Sequence, residues 1–396
     1  MSENEPICED DVVVDGDALA LLGHVQQWAY RNLVPLSASI ELTLRCNIRC
    51  LHCYNFDRDE PRAKCGATGA REAPAKPELS TDEILRVMEE LRASGCLFLQ
   101  LTGGEALSHP DLFVFLDHAR KLNLSVQLLT NGTMLRPGVA ARLASYENLL
   151  GVSVSVYGAT AEVHDGITQM PGSFRRTWDG IGRLGHLGVT VRVKFILMKQ
   201  NAHEAAAMRA EADRRGLPYL VDVNITSRHD GTRGSLATRM DRAQIEALYR
   251  GPLADLAHRG PRKPTEESFP CNCARGNVGI TATGDVVPCV SVPWAAGNVR
   301  EQPFAEIWRS SPVFERIRGL KIADYEHCAP CAHQSYCRRS RGAAMTASGS
   351  YTGIDPFVCA QAEIAHEIAD ERAAAAASAS ATADAPRVRA RLAVVR

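Results

Sequence analysis

The sequence predicts an α/β fold: a partial (β/α)6 barrel of TIM type followed by a small cysteine-rich domain. Three observations predict it. Six Val-, Leu- and Ile-rich runs between residues 38 and 226 are separated by helical stretches, the pattern of parallel βαβ units with right-handed crossovers. That alternation stops near residue 228. Beyond it lie seven of the chain's thirteen cysteines. An open sheet is the competing layout of the same units. In either layout, functional groups gather at the C-terminal ends of the strands.

Taken in order, residues 1–35 read as an acidic tail and a short helix around Ala18 to Arg31. The barrel region spans 36–230. Its first strand, ASIELTL, ends at a cysteine motif. Residues 57–78, rich in Pro, Gly, Ala and charge, form a long mobile loop. STDEILRVMEELRASG is a helix with Ser80 as N-cap, acids in its first turn and Gly95 after its end. LFLQLTGG, LSVQLLTNG, LLGVSVSVYG, VTVRVKFILM and PYLVDVNIT supply the remaining strands. Their composition is that of strands buried on both faces. Residues 231–268 are a helical linker, 269–365 a cysteine-rich domain, and 366–396 a low-complexity tail expected to form a frayed helix and then disorder.

The chain has 396 residues, 45% of them apolar, enough for a substantial core. Lysine and arginine number 45 against 46 acids, so no basic excess points to nucleic acid. No run approaches the roughly 18 apolar residues of a membrane helix. The N-terminus, MSENEPICEDDVVVDGD, is acidic and is not a signal peptide. A cytoplasmic protein without nucleic-acid or membrane partners is expected. Disulfides are rare in that compartment, and thirteen is an odd number for a disulfide framework. Apart from Cys8, Cys65 and Cys96, expected to be scattered buried thiols, the cysteines are clustered. Clustering in a reducing compartment favours metal or iron–sulfur ligation.

The stretch LTLRCNIRCLHCY carries Cys46, Cys50 and Cys53. A closed tetrahedral site or a protein-held four-iron cluster needs four ligands; three leave a position to fill. This CxxxCxxC spacing resembles the signature of the radical S-adenosylmethionine enzymes. The resemblance implies a [4Fe-4S] cluster on the three cysteines. S-adenosyl-L-methionine fills the fourth position and is reduced to a 5′-deoxyadenosyl radical, which abstracts hydrogen. LTGGEA, 101–106, resembles the family's GGEP motif, with Ala106 in place of its proline. By that resemblance Gly103 and Gly104 let backbone approach the methionyl part, and Glu105 accepts from its ammonium. Asn131 and Ser155, at later strand ends, are carried over as contacts to ribose and carboxylate. His52 is carried over as the residue flanking the adenine.

The C-terminal cysteines resemble the SPASM extension, which holds auxiliary iron–sulfur clusters. The matching run is Cys273, Gly284, Cys289, Cys328, Cys331, Cys337 and Cys359. The resemblance implies one complete set, Cys328, Cys331, Cys337 and Cys359, and a set of three, Cys271, Cys273 and Cys289. Arg341 stands where the family pattern has a further cysteine. One or two auxiliary clusters are therefore expected. The pair of resemblances implies a maturase that oxidatively modifies a ribosomally made peptide, forming a thioether or carbon–carbon crosslink. The alternative is maturation of a haem-like or redox cofactor, or of a folded protein; an electron carrier or scaffold is the non-enzymatic reading. A low-potential donor such as ferredoxin or flavodoxin is implied as a partner. The short segment ahead of the barrel is expected to hold no leader-binding domain, so peptide recognition would use the barrel and auxiliary region or a separate partner protein.

Overall fold

All six apolar runs form strands: β1 (Ser37–Glu41), β2 (Phe98–Thr102), β3 (Ser125–Thr130), β4 (Leu149–Val156), β5 (Val191–Ile196) and β6 (Tyr219–Asp222). The computed structural model describes residues 16–55, 76–229, 231–251, 254–257, 265, 268 and 271–383. The acidic tail, Cys8, Cys65 and the expected loop as far as residue 75 lie outside the described residues, as do residues 384–396.

The strands pair in chain order, all parallel, each followed by helix before the next. Ser80 caps the helix Thr81–Ala93 as its sequence predicts, in a capping box with Glu83. Such a cap stabilises by about 1 kcal/mol. Ile84, Val87, Met88 and Leu91 of that helix are buried in one core with Leu99, Leu101, Val126, Leu128, Val152 and Val154 of the sheet.

β1 and the middle of β4 are buried on both faces, as their composition suggests, but the other strands are not. Burial alternates strictly along β3 and β5. The apolar face packs against the helices. The opposite face is polar: Ser39 donates to Gln100 at 3.1 Å, Gln127 donates to Ser153 at 2.9 Å, and Ser155 lies opposite Lys194. Val, Leu and Ile at every second position make the overall composition look doubly apolar, but Ser, Gln, Arg and Lys fill many of the intervening positions. A polar strand face suits an enclosed, wettable interior better than a second helix layer.

The cysteine-rich region extends the same sheet. β7 (Asn277–Ile280) pairs parallel with β1, from Ser37↔Asn277 to Ile40↔Ile280. β8 (Asp285–Val287) and β9 (Gly297–Asn298) follow antiparallel. The full order is β6-β5-β4-β3-β2-β1-β7-β8-β9. The six parallel strands therefore do not close on themselves, because β7 occupies the outer edge of β1. Gly284 turns the chain between β7 and β8 at φ +87, a left-handed conformation that glycine adopts without cost. Arg300 then ties this region to the barrel. Its guanidinium bonds both carboxylate oxygens of Glu83, at 2.6 and 2.9 Å, and the carbonyls of Pro77 and Glu78.

The last helix, Pro356–Ala383, runs through the stretch whose composition suggests a frayed helix and then disorder from residue 366. Ile364, Ala365 and Ile368 are buried. Arg242 pairs with Glu363 and Glu367, and Arg250 with Glu371. Alanine, the strongest helix former, extends the helix past this packing. No described helix is long and apolar enough to cross a membrane.

Candidate active site

Cys46, Cys50 and Cys53 lie in the irregular segment that leaves β1, and each is half-buried. Backbone hydrogen bonds lace that segment to three neighbours. Gly104 N–H donates to the Thr43 carbonyl at 2.7 Å, and Glu105 N–H to that of Arg45 at 2.8 Å. Arg49 and Leu51 donate to the carbonyls of Thr168 and Ile167. Glu78 accepts from the Thr43 hydroxyl at 2.9 Å and from Leu44 N–H at 3.0 Å. The three thiols are thus presented by a loop fixed on several sides.

Gly103 and Gly104 are needed by this packing. A Cβ on Gly103 would lie 2.4 Å from the Thr43 carbonyl oxygen, and one on Gly104 2.3 Å from that of Arg45. The space made by the two glycines is filled by the chain's own cysteine loop. Glu105 is only 2% exposed. Its carboxylate accepts from the Thr130 hydroxyl at 2.6 Å, Asn131 N–H at 2.8 Å and Leu107 N–H at 3.0 Å. Burial, opposed by these bonds, pushes its pKa up. Glu105 therefore joins the ends of β2 and β3 and orients Asn131. The Asn131 amide donates to Asn47 at 2.9 Å and reaches the Cys46 sulfur at 3.9 Å.

On the other side of the loop stand His52, Ser155 and Tyr157. The His52 and Tyr157 rings are 4.9 Å apart. Burial first, and then the Lys194 charge, pushes the His52 pKa down to about 4, so its ring is neutral at pH 7. Its Nδ1 has no hydrogen-bond partner among the described residues. Tyr157 is bonded to Ser155 and to Cys50, and burial holds its phenol well above the ordinary range. Asn131 with Cys46, and Ser155 with Cys50, are thus brought to one set of strand ends.

Sequence reasoning overlooked several residues here. Asn201, fully buried, donates to the carbonyls of Tyr157 and Ile196 at 2.9 Å and accepts from Met198 N–H at 2.7 Å. Glu204 caps the turn after β4 by accepting from Ala159 N–H at 2.7 Å and the Thr160 hydroxyl at 2.6 Å. Glu41, 3% exposed, receives the Tyr54 hydroxyl at 3.4 Å, and burial raises its pKa to about 7. Burial first, and then the Glu41 charge, holds the Tyr54 phenol well above the ordinary range, with smaller effects of Cys53 and Cys289. The period-2 alternation of VTVRVKFILM was the available signal for Lys194; the others had none.

The C-terminal cysteines converge in two groups. Cys273 is hydrogen-bonded to both Cys271 and Cys289, and its own pKa is pushed well up by those bonds. Cys271 is pushed down to about 6, first by Cys273, with the Tyr351 hydroxyl and the Arg341 charge contributing. Tyr351 Oη lies 3.4 Å from the Cys271 sulfur and Ser291 Oγ 3.1 Å from that of Cys289. In the second group the Cys359 pKa is raised to about 11, by burial and then by Cys337, Cys328 and Cys331. All eleven described cysteines are thiols rather than disulfides. Among the described residues no group of three or more His, Cys, Asp or Glu is arranged for a single metal ion. A polynuclear cluster asks for something different, one thiolate on each of several irons. Three groups of soft thiols, with orphaned buried donors at Arg341 and Tyr325 beside one of them, suit anionic iron–sulfur clusters.

Comparison with known proteins agrees with this layout. The model of the radical SAM superfamily matches residues 40–209. That of the SPASM iron–sulfur cluster-binding domain matches residues 271–332. An AdoMet-dependent heme synthase of Methanosarcina barkeri is 29% identical over 82% of this chain and 96% of its own length. The mycofactocin maturase MftC of Mycobacterium ulcerans is 28% identical over 88% of this chain and 94% of its own. The crystal structure of Streptococcus suis SuiB bound to S-adenosylmethionine superposes with a TM-score of 0.63, at 16% identity, over 88% of this chain and 84% of that one.

Proposed function

From a chain that belongs to the radical SAM superfamily and carries a SPASM domain, we propose a maturase that oxidatively modifies a ribosomally synthesised peptide, forming a crosslink such as a thioether or a carbon–carbon bond. The observation that carries this reading is the joining of two thiol systems in one sheet. Cys46, Cys50 and Cys53 leave β1, and β7, flanked by Cys273 and Cys289, pairs directly with β1. When bound, a four-iron cluster and S-adenosyl-L-methionine supply a one-electron reduction that yields a 5′-deoxyadenosyl radical.

Cys46, Cys50 and Cys53 are the ligands of that cluster. Gly103, Gly104 and Glu78 hold their loop in place. Glu105 aims Asn131 beside Cys46. His52, neutral and packed against Tyr157, would flank the cofactor's adenine. Ser155 and Lys194, neighbours across β4 and β5, offer a hydroxyl and an ammonium to the cofactor's carboxylate. The remaining cysteines hold auxiliary clusters, Cys271, Cys273 and Cys289 one of them, and Cys328, Cys331, Cys337 and Cys359 the other. A ferredoxin or flavodoxin supplies electrons in the cytoplasm, and a separate protein can present the peptide leader.

The similarity to the maturase MftC supports a peptide substrate. A second reading, maturation of a haem-like cofactor, draws on the heme synthase similarity, which spans nearly that whole protein. One experiment separates them. The anaerobically reconstituted protein is reduced and incubated with S-adenosylmethionine and either a precursor peptide encoded beside its gene or a haem precursor. Loss of hydrogen atoms from the peptide, seen by mass spectrometry with stoichiometric 5′-deoxyadenosine, supports the first reading. Conversion of the porphyrin alone supports the second.

A further inference from the structure

Arg341 is the only buried cation among the described residues, at 3% exposure. It opens the helix Arg341–Ser348, whose neighbour Gly342 packs so tightly on Ser291 that a Cβ there would clash with the Ser291 carbonyl oxygen. One guanidinium nitrogen donates to the Tyr351 carbonyl at 3.3 Å. The other two, Nε and Nη2, have no hydrogen-bond partner among the described residues. Its Cζ lies 4.2 Å from the ring centroid of Tyr325, which is itself fully buried with a hydroxyl that has no partner among the described residues.

An aromatic face steadies a cation but accepts no N–H bond in the plane of the fork. A buried guanidinium with two idle nitrogens is strongly unfavourable unless an anion stands beside it. Cys271, which is hydrogen-bonded to Cys273, is a sulfur neighbour that the Arg341 charge reaches. Tyr351 is bonded to Arg341 through its carbonyl and to Cys271 through its hydroxyl. Arg341 and Tyr325 both lie near enough to Cys271 to interact with it electrostatically, and both carry buried donors with no partner among the described residues.

We propose that Arg341 is the counter-ion and N–H donor of the iron–sulfur cluster held by Cys271, Cys273 and Cys289, and that it raises that cluster's reduction potential. This rests on the reading of those cysteines as ligands given above. Positive charge and hydrogen bonds to the sulfurs both favour the reduced, more negative state of a cluster. Arg341 is thus a positioning residue: it sets how readily this cluster takes an electron and touches no substrate itself.

The test is an EPR-monitored redox titration of the full reconstituted protein, compared with Arg341→Gln and Arg341→Lys. Iron content is measured in each. Arg341→Gln is expected to keep its iron and to lower one auxiliary midpoint by at least tenfold in equilibrium constant, 59 mV for a one-electron couple. Arg341→Lys keeps the charge but loses the fork, and is expected to lower it by less. If Arg341→Gln does not fold, the lysine variant carries the test. An unchanged midpoint in the folded variants overturns the proposal, as does loss of the iron in both, which would make Arg341 a packing residue only. The underlying reading is checked separately by replacing Cys271, Cys273 and Cys289 with alanine. If iron content and every midpoint then stay at wild type, those cysteines hold no cluster.

Discussion

Replacing Gly104 with alanine tests how the cysteine loop is held. The new Cβ would sit 2.3 Å from the Arg45 carbonyl oxygen and 2.7 Å from that of Leu44, where real Cβ contacts essentially never fall below 3.0 Å. The loop must therefore retreat by about 0.7 Å, and both obstacles are backbone. It cannot swing freely, because Glu78 holds Thr43 and Leu44, and the carbonyls of Ile167 and Thr168 hold Leu51 and Arg49. The retreat strains two hydrogen bonds, Gly104 N–H to Thr43 and Glu105 N–H to Arg45. Overpacking costs about 1–3 kcal/mol, and each weakened bond about 0.5–1.5 kcal/mol. A total near 2–6 kcal/mol is expected from these two sources. Gly182 is the internal control: it lies within the helix Ser173–His186 with nothing near its missing Cβ, so alanine there should gain about 0.5–1 kcal/mol. Denaturant melts and iron counts after anaerobic reconstitution provide the assay. Gly104→Ala should melt early and lose iron from the first cysteine group while keeping that of the C-terminal groups. A Gly104→Ala protein as stable and as iron-rich as wild type would refute the reasoning.

Glu41 links stability to pH. Its folded pKa of about 7 is raised above the ordinary 4.5 by burial, so between those values the folded state keeps a proton that the unfolded state has lost. Its stabilising contribution is present below about 4.5 and is lost as pH rises through 7. Glu41→Gln, which is always neutral, should lose this dependence, roughly 3 kcal/mol between pH 4.5 and 7 by the pKa difference; parallel pH profiles of the two proteins in denaturant melts would contradict it. Asn201→Ala should destabilise by about 2–4 kcal/mol, because three buried backbone groups at the ends of β4 and β5 lose their partner; a neutral result in the same melts would show that water replaces the amide. Asp355→Ala should cost about 3–5 kcal/mol, since it strands the Arg239 guanidinium that binds it through two nitrogens beneath Phe357. Thermal melting of that variant, with Asp355→Asn for comparison, checks it.

Much of the barrel was legible because its signals are local. Each strand announced itself as a short apolar run, and Ser80 with Glu83 marked a helix start through chemistry confined to four residues. The cysteine spacing was equally plain. What stayed hidden depends on residues far apart in the chain. Nothing near Asn277 says that it will pair with Ser37. Nothing in LTGGEA says that its glycines make room for Thr43 and Arg45, or that Glu105 will be occupied by Thr130 and Asn131. The polar face was visible in principle, as Arg192 and Lys194 alternate with valines and Phe195, but composition masked the period. How far the last helix would extend was hard to read, because an alanine-rich segment looks alike whether packed or frayed; burial of Ile364, Ala365 and Ile368 anchors it.

The central claim is that Cys46, Cys50 and Cys53 hold the cluster at which S-adenosylmethionine is cleaved, separately from the C-terminal clusters. Its most direct test is to change those three residues together to alanine, reconstitute the protein without air, and measure iron and 5′-deoxyadenosine side by side. The account predicts that iron remains, bound by the C-terminal cysteines, while 5′-deoxyadenosine formation under reducing conditions disappears. A triple variant that still cleaves S-adenosylmethionine would contradict it.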